Sequence, residues 1–175
     1  MQQAMTHDFE RVQMHDVAEA ADVAIGTLYR YFPSKAHLFV GVMAHQVQIL
    51  SDSFEDTPLT GETPAARIFN TMWQANRYLL DHPTLAAAMI QSVQGANAES
   101  VPEVVDIDSS IRVALARALG VSEPTEQAAA TIRILIMVWF GILQSSLNAR
   151  LSVAEAEHDL RMACTVLVEN LAGST

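Results

Sequence analysis

The fold of this chain is constrained most by residues 12–38, whose apolar pattern predicts two short helices joined by a tight turn. Val17, Ala18 and Ala21 fall on one face of the first helix, and the small alanine side chains allow a second helix to cross it closely. Residues 22–24 form the predicted turn. The segment therefore has the pattern of a helix-turn-helix.

The second helix of this motif begins at Ile25, and its Leu28 and Phe32 face inward. Hydroxyl groups of threonine and tyrosine hydrogen-bond phosphate oxygens, whereas an arginine reads guanine through two parallel hydrogen bonds. Gly26 leaves room where the backbone approaches a DNA strand. The outer face therefore indicates DNA contact, and its side chains are Thr27, Tyr29, Arg30 and Tyr31.

Pro33 ends this helix, and Ser34 is the predicted N-cap of a third one. Lys35 lies in the first turn of the third helix, where backbone N–H groups and an ammonium group would together hold a phosphate. An alternative interpretation treats Tyr29 and Tyr31 as ordinary packing residues and Arg30 as a solvated charge.

The sequence GTLYRYFPSKAHLF, residues 26–39, resembles the DNA-binding domain of the TetR family of one-component transcriptional repressors. The resemblance implies that the helix over residues 24–32 enters the major groove, and that Tyr29, Tyr31 and Lys35 hold the DNA backbone. Double-stranded operator DNA is therefore the expected partner. The DNA-binding candidates are Gln13, Ala24, Gly26, Thr27, Tyr29, Arg30, Tyr31 and Lys35.

The net charge of −10 needs an explanation, since DNA-binding proteins usually show a basic footprint. Residues 1–50 carry three basic and five acidic side chains, so most of the negative charge lies in the rest of the chain. Lys35 is the only lysine, and it stands at the phosphate-holding position. An acidic body would repel DNA from every other face.

Length and composition limit the protein class further. The 175 residues are 50% hydrophobic, which is enough for a generous core. Cys164 is the single cysteine, which excludes an internal disulfide and a cysteine-based zinc site. The longest apolar run, residues 134–143, is far shorter than the roughly 20 residues of a membrane span, so we expect a cytoplasmic protein without membrane contact.

The first residues depart from the TetR pattern. Such domains begin with a basic arm and a complete first helix, but only MQQAMTHDFERV precedes the second helix of the family pattern here. We expect that the first helix is incomplete, because the encoded N-terminus is longer or because residues are missing around positions 5–7.

Proline and glycine divide the remaining chain into helical segments. A helix is predicted from Lys35 to about Ile49 with Leu38, Val42 and Gln46 on its side, and residues 51–63 are predicted as a loop. Further helices are predicted over residues 63–81, over residues 83–94, and from Pro102 to Gly120 with Val105, Ile111, Leu115 and Leu119 on one side. The predicted fold is all-α, with a helix-turn-helix head over residues 1–50 and an effector-binding and dimerisation body over residues 51–175.

The two final helices carry an oligomerisation signal. The segment over residues 124–150 is apolar on nearly all sides, so more than one partner must cover it. Ser152 and Glu155 form a capping box that begins the last helix. A monomer could bury the apolar helix inside its own body, but we favour pairing of two hairpins as a four-helix bundle. The predicted homodimer contacts are Ile132, Ile136, Phe140, Leu147, Leu160 and Leu167.

An effector pocket is predicted beside the helix over residues 63–81, which combines a wide apolar face with one amide. That amide, Asn76, must be hydrogen-bonded if it is buried, either within the protein or to a molecule that comes and goes. A methionine and tryptophan stripe of this kind could also be plain core. The ligand-binding candidates are Phe69, Met72, Trp73, Asn76, Met89, Val93, Gln94, Trp139 and Leu143.

Residues 67–89 look similar to actinobacterial repressors of sterol and lipid catabolism genes within the same family. This resemblance implies a hydrophobic small-molecule effector such as a steroid or a fatty acyl-CoA, whose CoA part would require cationic groups. Arg67, Arg77 and Arg112 are the available candidates. A multidrug-type regulator with an aromatic or cationic ligand is equally consistent with the acidic body.

The chain carries no catalytic motif of the kinds that mark hydrolases, phosphate-binding loops or zinc peptidases, so we expect no enzyme, no cofactor and no metal site. Two function classes remain. The first is a repressor that an effector releases from a palindromic operator. The second is a helical interaction protein without DNA binding.

Overall fold

The computed structural model describes residues 12–56, 59–96 and 101–172, and these contain eight α-helices and no strand. The predicted all-α architecture is confirmed. The expectation about the first helix concerns residues that lie outside the described part of the chain. The helices are α1 (Met14–Ala20), α2 (Ile25–Tyr31), α3 (Lys35–Asp56), α4 (Pro64–Asp81), α5 (Pro83–Gly95), α6 (Glu103–Leu119), α7 (Glu126–Leu147) and α8 (Val153–Ala172).

Helices α1 and α2 form a small head with its own apolar cluster. Met14 and Ala18 of α1 are buried against Leu28 of α2, and Phe32 and Leu38 pack against them. The contact across Ala18 follows from its small side chain, which allows the two helices to approach closely. The predicted helix-turn-helix is therefore present.

The turn between α1 and α2 depends on a left-handed residue. Asp22 has φ 53°, and its N–H donates to Glu19 O at 3.1 Å while Val23 N–H donates to Ala18 O at 3.0 Å. This is the Schellman pattern, and aspartate is one of the few residues that adopt the left-handed conformation readily. Ala21 is the exposed C-cap of α1, which corrects its predicted place on the buried face.

Helix α3 connects the head to the body and is longer than predicted. Ser34 is its N-cap, since the Oγ atom accepts from His37 N–H at 3.3 Å. The helix continues to Asp56, so the predicted loop over residues 51–63 is wrong in its first part. No proline or glycine occurs between residues 50 and 56, and adding residues to an existing helix requires no new nucleus.

The buried face of α3 also differs from the predicted one. Phe39, Val40 and Met43 lie in the main core, whereas Ile49 is exposed. Because Leu38 packs on the head cluster, α3 contributes to both cores and holds the head against the body. The boundary proposed between residues 50 and 51 falls inside this helix.

The ends of the middle helices follow local capping chemistry. Thr63 Oγ1 accepts from Ala66 N–H at 3.1 Å at the start of α4, as predicted. Gly120 ends α6 with φ 88°, a conformation that glycine adopts without strain. Val105 was predicted on the same side of this helix as Leu115, but it is exposed. The buried residues of α6 include Ile107 and Leu115.

The last two helices form a hairpin. Ser152 N–H donates to Glu155 Oε2 at 2.8 Å and Glu155 N–H donates to Ser152 Oγ at 3.2 Å, which confirms the predicted capping box. Hydrogen bonds from Ser152 hold the pKa of the Glu155 carboxyl below its usual value. Cys164 is fully buried in the core, and burial raises the pKa of its thiol to about 12, so the thiolate does not form at neutral pH.

Helix α7 belongs to the body and contacts α4, α5, α6 and α8. Within the described residues it is the one helix whose length and composition would allow it to cross a membrane. A single helix of this kind is weak evidence, because the core helix of a soluble protein meets the same criterion. Its buried side chains include Leu135, Trp139 and Leu143, which pack against protein.

Candidate DNA-binding surface and effector site

The outward face of α2 presents aromatic and cationic side chains to solvent. Tyr31 is 65% exposed, and Tyr29 and Arg30 are exposed as well. The Arg30 guanidinium carbon lies 5.1 Å from the centre of the Tyr31 ring, and Arg30 Nη2 donates to the Tyr31 hydroxyl at 3.4 Å. Thr27 is half-buried. The structure thus brings these predicted DNA-binding residues together on one short helix.

Gly26 lies at the beginning of the same helix and is exposed. A Cβ atom at this position would meet no atom within 4 Å, so nothing inside the described protein requires glycine here. Ala24, the residue before the helix, is the N-cap of α2, and Gln13 is the N-cap of α1. Both helix N-termini, where backbone N–H groups are available to phosphate, therefore coincide with predicted DNA-binding residues.

Lys35 has a role that sequence reasoning did not predict. Its Nζ atom donates to Val12 O at 3.0 Å, which ties the start of α3 to the chain that enters α1. An ammonium group has three donors, so this bond is compatible with the predicted phosphate contact. In the protein without DNA, Lys35 positions the head.

Two apolar side chains near the start of α2 were missed as DNA-binding candidates. Val23 and Ile25 are both exposed beside Gly26. Val23 was predicted in the turn and Ile25 at the start of the helix, neither with a contact to DNA, and apolar side chains are the groups that contact the thymine methyl group in the major groove. Their exposure is the signal that only the structure supplies.

Helix α4, beside which the effector pocket is predicted, meets α7 through a buried polar pair. Trp139 Nε1 donates to Asn76 Oδ1 at 3.2 Å, and both side chains are buried. The Asn76 Nδ2 atom has no hydrogen-bond partner in the described part of the chain. Two predicted ligand-binding residues from distant parts of the sequence are therefore in direct contact.

The other predicted pocket residues divide into four groups. Phe69 and Trp73 stack with ring centres 6.1 Å apart, and Trp73 is half-buried. Val93 lines a cavity of about 280 Å³ between α5, α6 and α7. Gln94 is exposed to solvent, which removes it from the apolar wall where it was predicted. The remaining predicted residues are buried side chains of the main core, namely Met72, Met89 and Leu143.

The cavity beside Val93 has a wall that the sequence did not indicate. Phe140 belongs to this wall, although it was predicted as a dimer contact. The Phe140 ring lies 5.5 Å from the Trp139 ring between centres, so the cavity adjoins the aromatic pair next to Asn76. Asp108 is the charged residue of the lining, and its carboxylate pairs with Arg112 Nε at 2.6 Å.

Two of the arginines that were considered as contacts of a CoA group make hydrogen bonds within the protein. Arg67 Nε donates to Ala118 O at 2.9 Å and so satisfies a carbonyl at the end of α6. Arg112 pairs with Asp108. A second cavity, of about 810 Å³, lies where α4 and α7 begin and α8 ends, and it contains none of the predicted ligand-binding residues.

The predicted dimer contacts need correction, because most of them are covered by the same protomer. Ile132, Ile136, Leu147 and Leu160 are buried in the main core, and Leu167 is partly buried against it. Other apolar side chains of α7 and α8 are exposed instead. They are Ile134 and Met137 on α7, and Val153, Met162 and Val166 on α8.

A hydrogen bond joins α4 to α3, the helix that connects the head to the body. The Tyr78 hydroxyl on α4 donates to Gln46 Oε1 on α3 at 2.7 Å. Tyr78 follows Asn76 by two residues, and the Tyr78 ring lies 5.2 Å from the His82 ring between centres. This hydrogen bond therefore links α4, two residues after Asn76, to the helix that carries the head.

Comparison with sequence families covers most of the chain. A profile described as "Bacterial regulatory proteins, tetR family" matches residues 1–42, and one described as "Tetracyclin repressor-like, C-terminal domain" matches residues 61–167. Two curated relatives are each named "HTH-type transcriptional repressor KstR". The protein from Mycobacterium tuberculosis is 34% identical over 91% of this chain and 73% of its own length, and that from Rhodococcus jostii is 35% identical over 91% and 74%.

Solved structures show the same architecture. A TetR transcriptional regulator from Rhodococcus sp. RHA1 is 45% identical and superposes with a TM-score of 0.86 over 96% of this chain and 92% of that one. A tetR-family regulator from Streptomyces coelicolor, at 19% identity, has a TM-score of 0.64 over 94% of this chain and 81% of that one, which shows a shared fold.

Proposed function

Because this chain belongs to the TetR family of transcriptional regulators, which bind DNA and are not enzymes, we propose that it is a dimeric repressor that a hydrophobic effector releases from a palindromic operator. The observation that carries the DNA-binding part is the exposed face of α2, where Tyr29, Arg30 and Tyr31 stand together beside Gly26. The proposed site of action is the cytoplasm.

The side chains on the exposed face of α2 have two different roles in DNA binding. Arg30 supplies the fork that hydrogen-bonds guanine, whereas the hydroxyl groups of Thr27, Tyr29 and Tyr31 contact phosphate. The cation–π contact between Arg30 and the Tyr31 ring limits the rotamers of both side chains before DNA arrives. Ala24 and Gln13 place two helix N-termini near the backbone, and Lys35 adds a charge.

The proposed dimer face consists of the exposed apolar side chains of α7 and α8. Ile134, Met137 and Gly141 follow one another at i, i+3 and i+7, so they form a stripe along α7. A Cβ atom at Gly141 would meet no atom within 4 Å, so packing within the protomer does not require this glycine. Glycine in a helix interior costs about 1 kcal/mol relative to alanine, and a close approach of a second helix explains its presence.

The proposed effector site lies beside α4 at Asn76 and Trp139, with the cavity at Val93 as its opening. The lining of this cavity is mostly apolar with a small number of polar groups, which is the usual composition of a small-molecule site. A steroid or a fatty acyl-CoA matches this lining, whereas an aromatic cation would be the ligand of the alternative multidrug-type regulator. Movement of α4 reaches α3 through Tyr78 and Gln46 and changes the spacing of the two α2 helices, at a coupling energy of about 1–3 kcal/mol.

Selection from random duplex DNA with the full encoded protein tests this proposal. We expect an enriched palindrome whose affinity falls steeply between about 50 and about 200 mM salt, because phosphate contacts release counterions. Fluorescence anisotropy with acyl-CoA and steroid compounds then measures release. Absence of any enriched site at low salt would overturn the DNA-binding proposal and favour a helical interaction protein.

Arginine and tyrosine variants separate base reading from phosphate contact. Arg30→Ala should cost about 1–3 kcal/mol on the selected operator and should also relax sequence preference. Tyr31→Phe keeps the ring under Arg30 but removes the hydroxyl, so it should weaken binding to all sequences by a similar factor. Anisotropy titrations on the operator and on scrambled duplexes measure both effects. An equal loss on all duplexes for Arg30→Ala would contradict its base-reading role.

A further inference from the structure

The Asn76 side chain is the one buried side-chain group in the described residues with an unpaired polar atom. It is 0% exposed, and its Oδ1 atom is occupied by Trp139 Nε1. The Nδ2 atom has two hydrogens and no acceptor. A buried donor left without a partner is costly, so an acceptor that enters the site is strongly favoured.

The surroundings of Asn76 define the chemistry of that acceptor. Met72 and Leu79, one turn away on either side, are buried apolar residues of the core. A charged acceptor would lose its hydration in such a place without gaining a cation. The charged residue that lines the neighbouring cavity is Asp108, whose carboxylate is already paired with Arg112. A neutral oxygen therefore fits the Nδ2 atom better than a carboxylate or phosphate does.

The route to the amide passes the aromatic pair Trp139 and Phe140. Phe140 lines the cavity of about 280 Å³, and its ring contacts the Trp139 ring. Trp139 in turn holds the Asn76 amide in one orientation, with Oδ1 turned toward Nε1. Trp139 is thus the side chain that connects the cavity wall at Phe140 to the Asn76 amide, and a ligand that reaches Nδ2 from this cavity has to displace it.

We propose that Asn76 determines the specificity of the effector by donating a hydrogen bond from Nδ2 to a neutral carbonyl oxygen on an otherwise apolar molecule. This inference rests on the proposed function, since it concerns the same effector. It adds that the site distinguishes a ketone or thioester carbonyl from the same skeleton without that oxygen. Because Asn76 is paired with Trp139, we expect effector binding to act first on the contact between α4 and α7.

Matched ligand pairs test the proposal on the unmodified full chain. One pair is lauroyl-CoA and dodecyl-CoA, a thioether that lacks the carbonyl group. The other is cholestenone and the same hydrocarbon skeleton without the ketone oxygen. By isothermal titration calorimetry we expect the carbonyl member of at least one pair to bind about tenfold or more tightly than its partner, the factor for a buried donor that gains its acceptor.

Variants identify the donor. Asn76→Leu should bind both members of the pair equally, whereas Met43→Leu, a volume-conserving change at a buried position of α3 outside the proposed site, should keep the preference. Asn76→Asp keeps an acceptor for Trp139, and its carboxyl donates only while protonated. For this variant the preference should be present at low pH and disappear as pH rises through the pKa of that carboxyl. It also serves as the test if Asn76→Leu does not fold.

Three results would overturn the inference: no binding of either carbonyl compound, equal binding within both pairs, or a preference that survives Asn76→Leu. Operator binding by the same samples separates this outcome from failure of the proposed function. If the chain binds its operator and a compound without a carbonyl group releases the protein from the DNA, the proposed function is supported and the proposed role of Asn76 is wrong. If no operator is bound, the proposed function fails irrespective of the ligand data.

Discussion

Met137→Glu is expected to convert the proposed dimer into monomers and to lower operator affinity on the order of a hundredfold or more, because a single head contacts only one half-site. Met137 is 70% exposed in the protomer, so the substitution disturbs no core packing. In a two-fold symmetric dimer the new carboxylate would occur twice in an apolar contact, where burying an unpaired charge is strongly unfavourable. Sedimentation velocity and anisotropy titration measure the two effects.

The control for this variant is Val113→Glu. Val113 is 64% exposed on α6, outside the proposed face, so the same change of side chain should leave both the dimer and operator affinity intact. A Met137→Glu protein that remains dimeric at micromolar concentration would show that α7 does not form the contact through this stripe.

Gly26→Leu is expected to have opposite effects on stability and on DNA binding. A side chain at this position meets no atom of the protein, and leucine favours the helix over glycine by about 0.8–1 kcal/mol, so the free energy of unfolding should stay equal or rise. The added side chain would occupy the space between α2 and the DNA. Loss of two base or phosphate contacts corresponds to an affinity lower by about a hundredfold.

Gly95→Leu provides a matched comparison, because a Cβ atom there also meets no atom within 4 Å and α5 lies in the body of the protein. Chemical denaturation and operator titration are measured on both variants. Unchanged operator affinity for Gly26→Leu would mean that this end of α2 does not face the DNA.

Local chemistry explains which boundaries the sequence predicted well. The caps at Ser34, Thr63 and Gly120, together with the box at Ser152 and Glu155, each depend on a few consecutive residues. Such contacts do not depend on the path of the rest of the chain, so they can be predicted from the sequence alone. The end of α3 was misplaced because the polar residues from 51 to 56 carry no helix breaker.

Position within the core could not be predicted in the same way. A helix that is apolar on nearly all sides, such as α7, gives no periodic signal for which side its own chain covers. Ile132 and Ile136 were predicted as dimer contacts but pack inside the protomer, whereas Met137, the residue after Ile136, is exposed. Only the packing of α4, α5, α6 and α8 around α7 decides this.

The candidate site shows the same division. The sequence predicted that Thr27, Tyr29, Arg30 and Tyr31 lie together on one short helix, because a helix fixes the relation of residues that are close in the chain. The contact of Asn76 with Trp139 joins residues far apart in the chain, and no local rule places one against the other. Asn76 was recognised as unusual from its apolar neighbours, but its unpaired Nδ2 atom is visible only in the folded protein.

The sequence by itself determined the all-α fold, the helix-turn-helix and most helix ends, since these depend on backbone preferences and side-chain contacts within one or two turns. The tertiary structure alone decided which apolar residues stay exposed on α7 and α8, which residues line the cavity at Val93, and which buried donor lacks a partner. The physical reason is that burial and hydrogen bonding between distant segments depend on the packing of all helices at once, which no local pattern in the chain specifies.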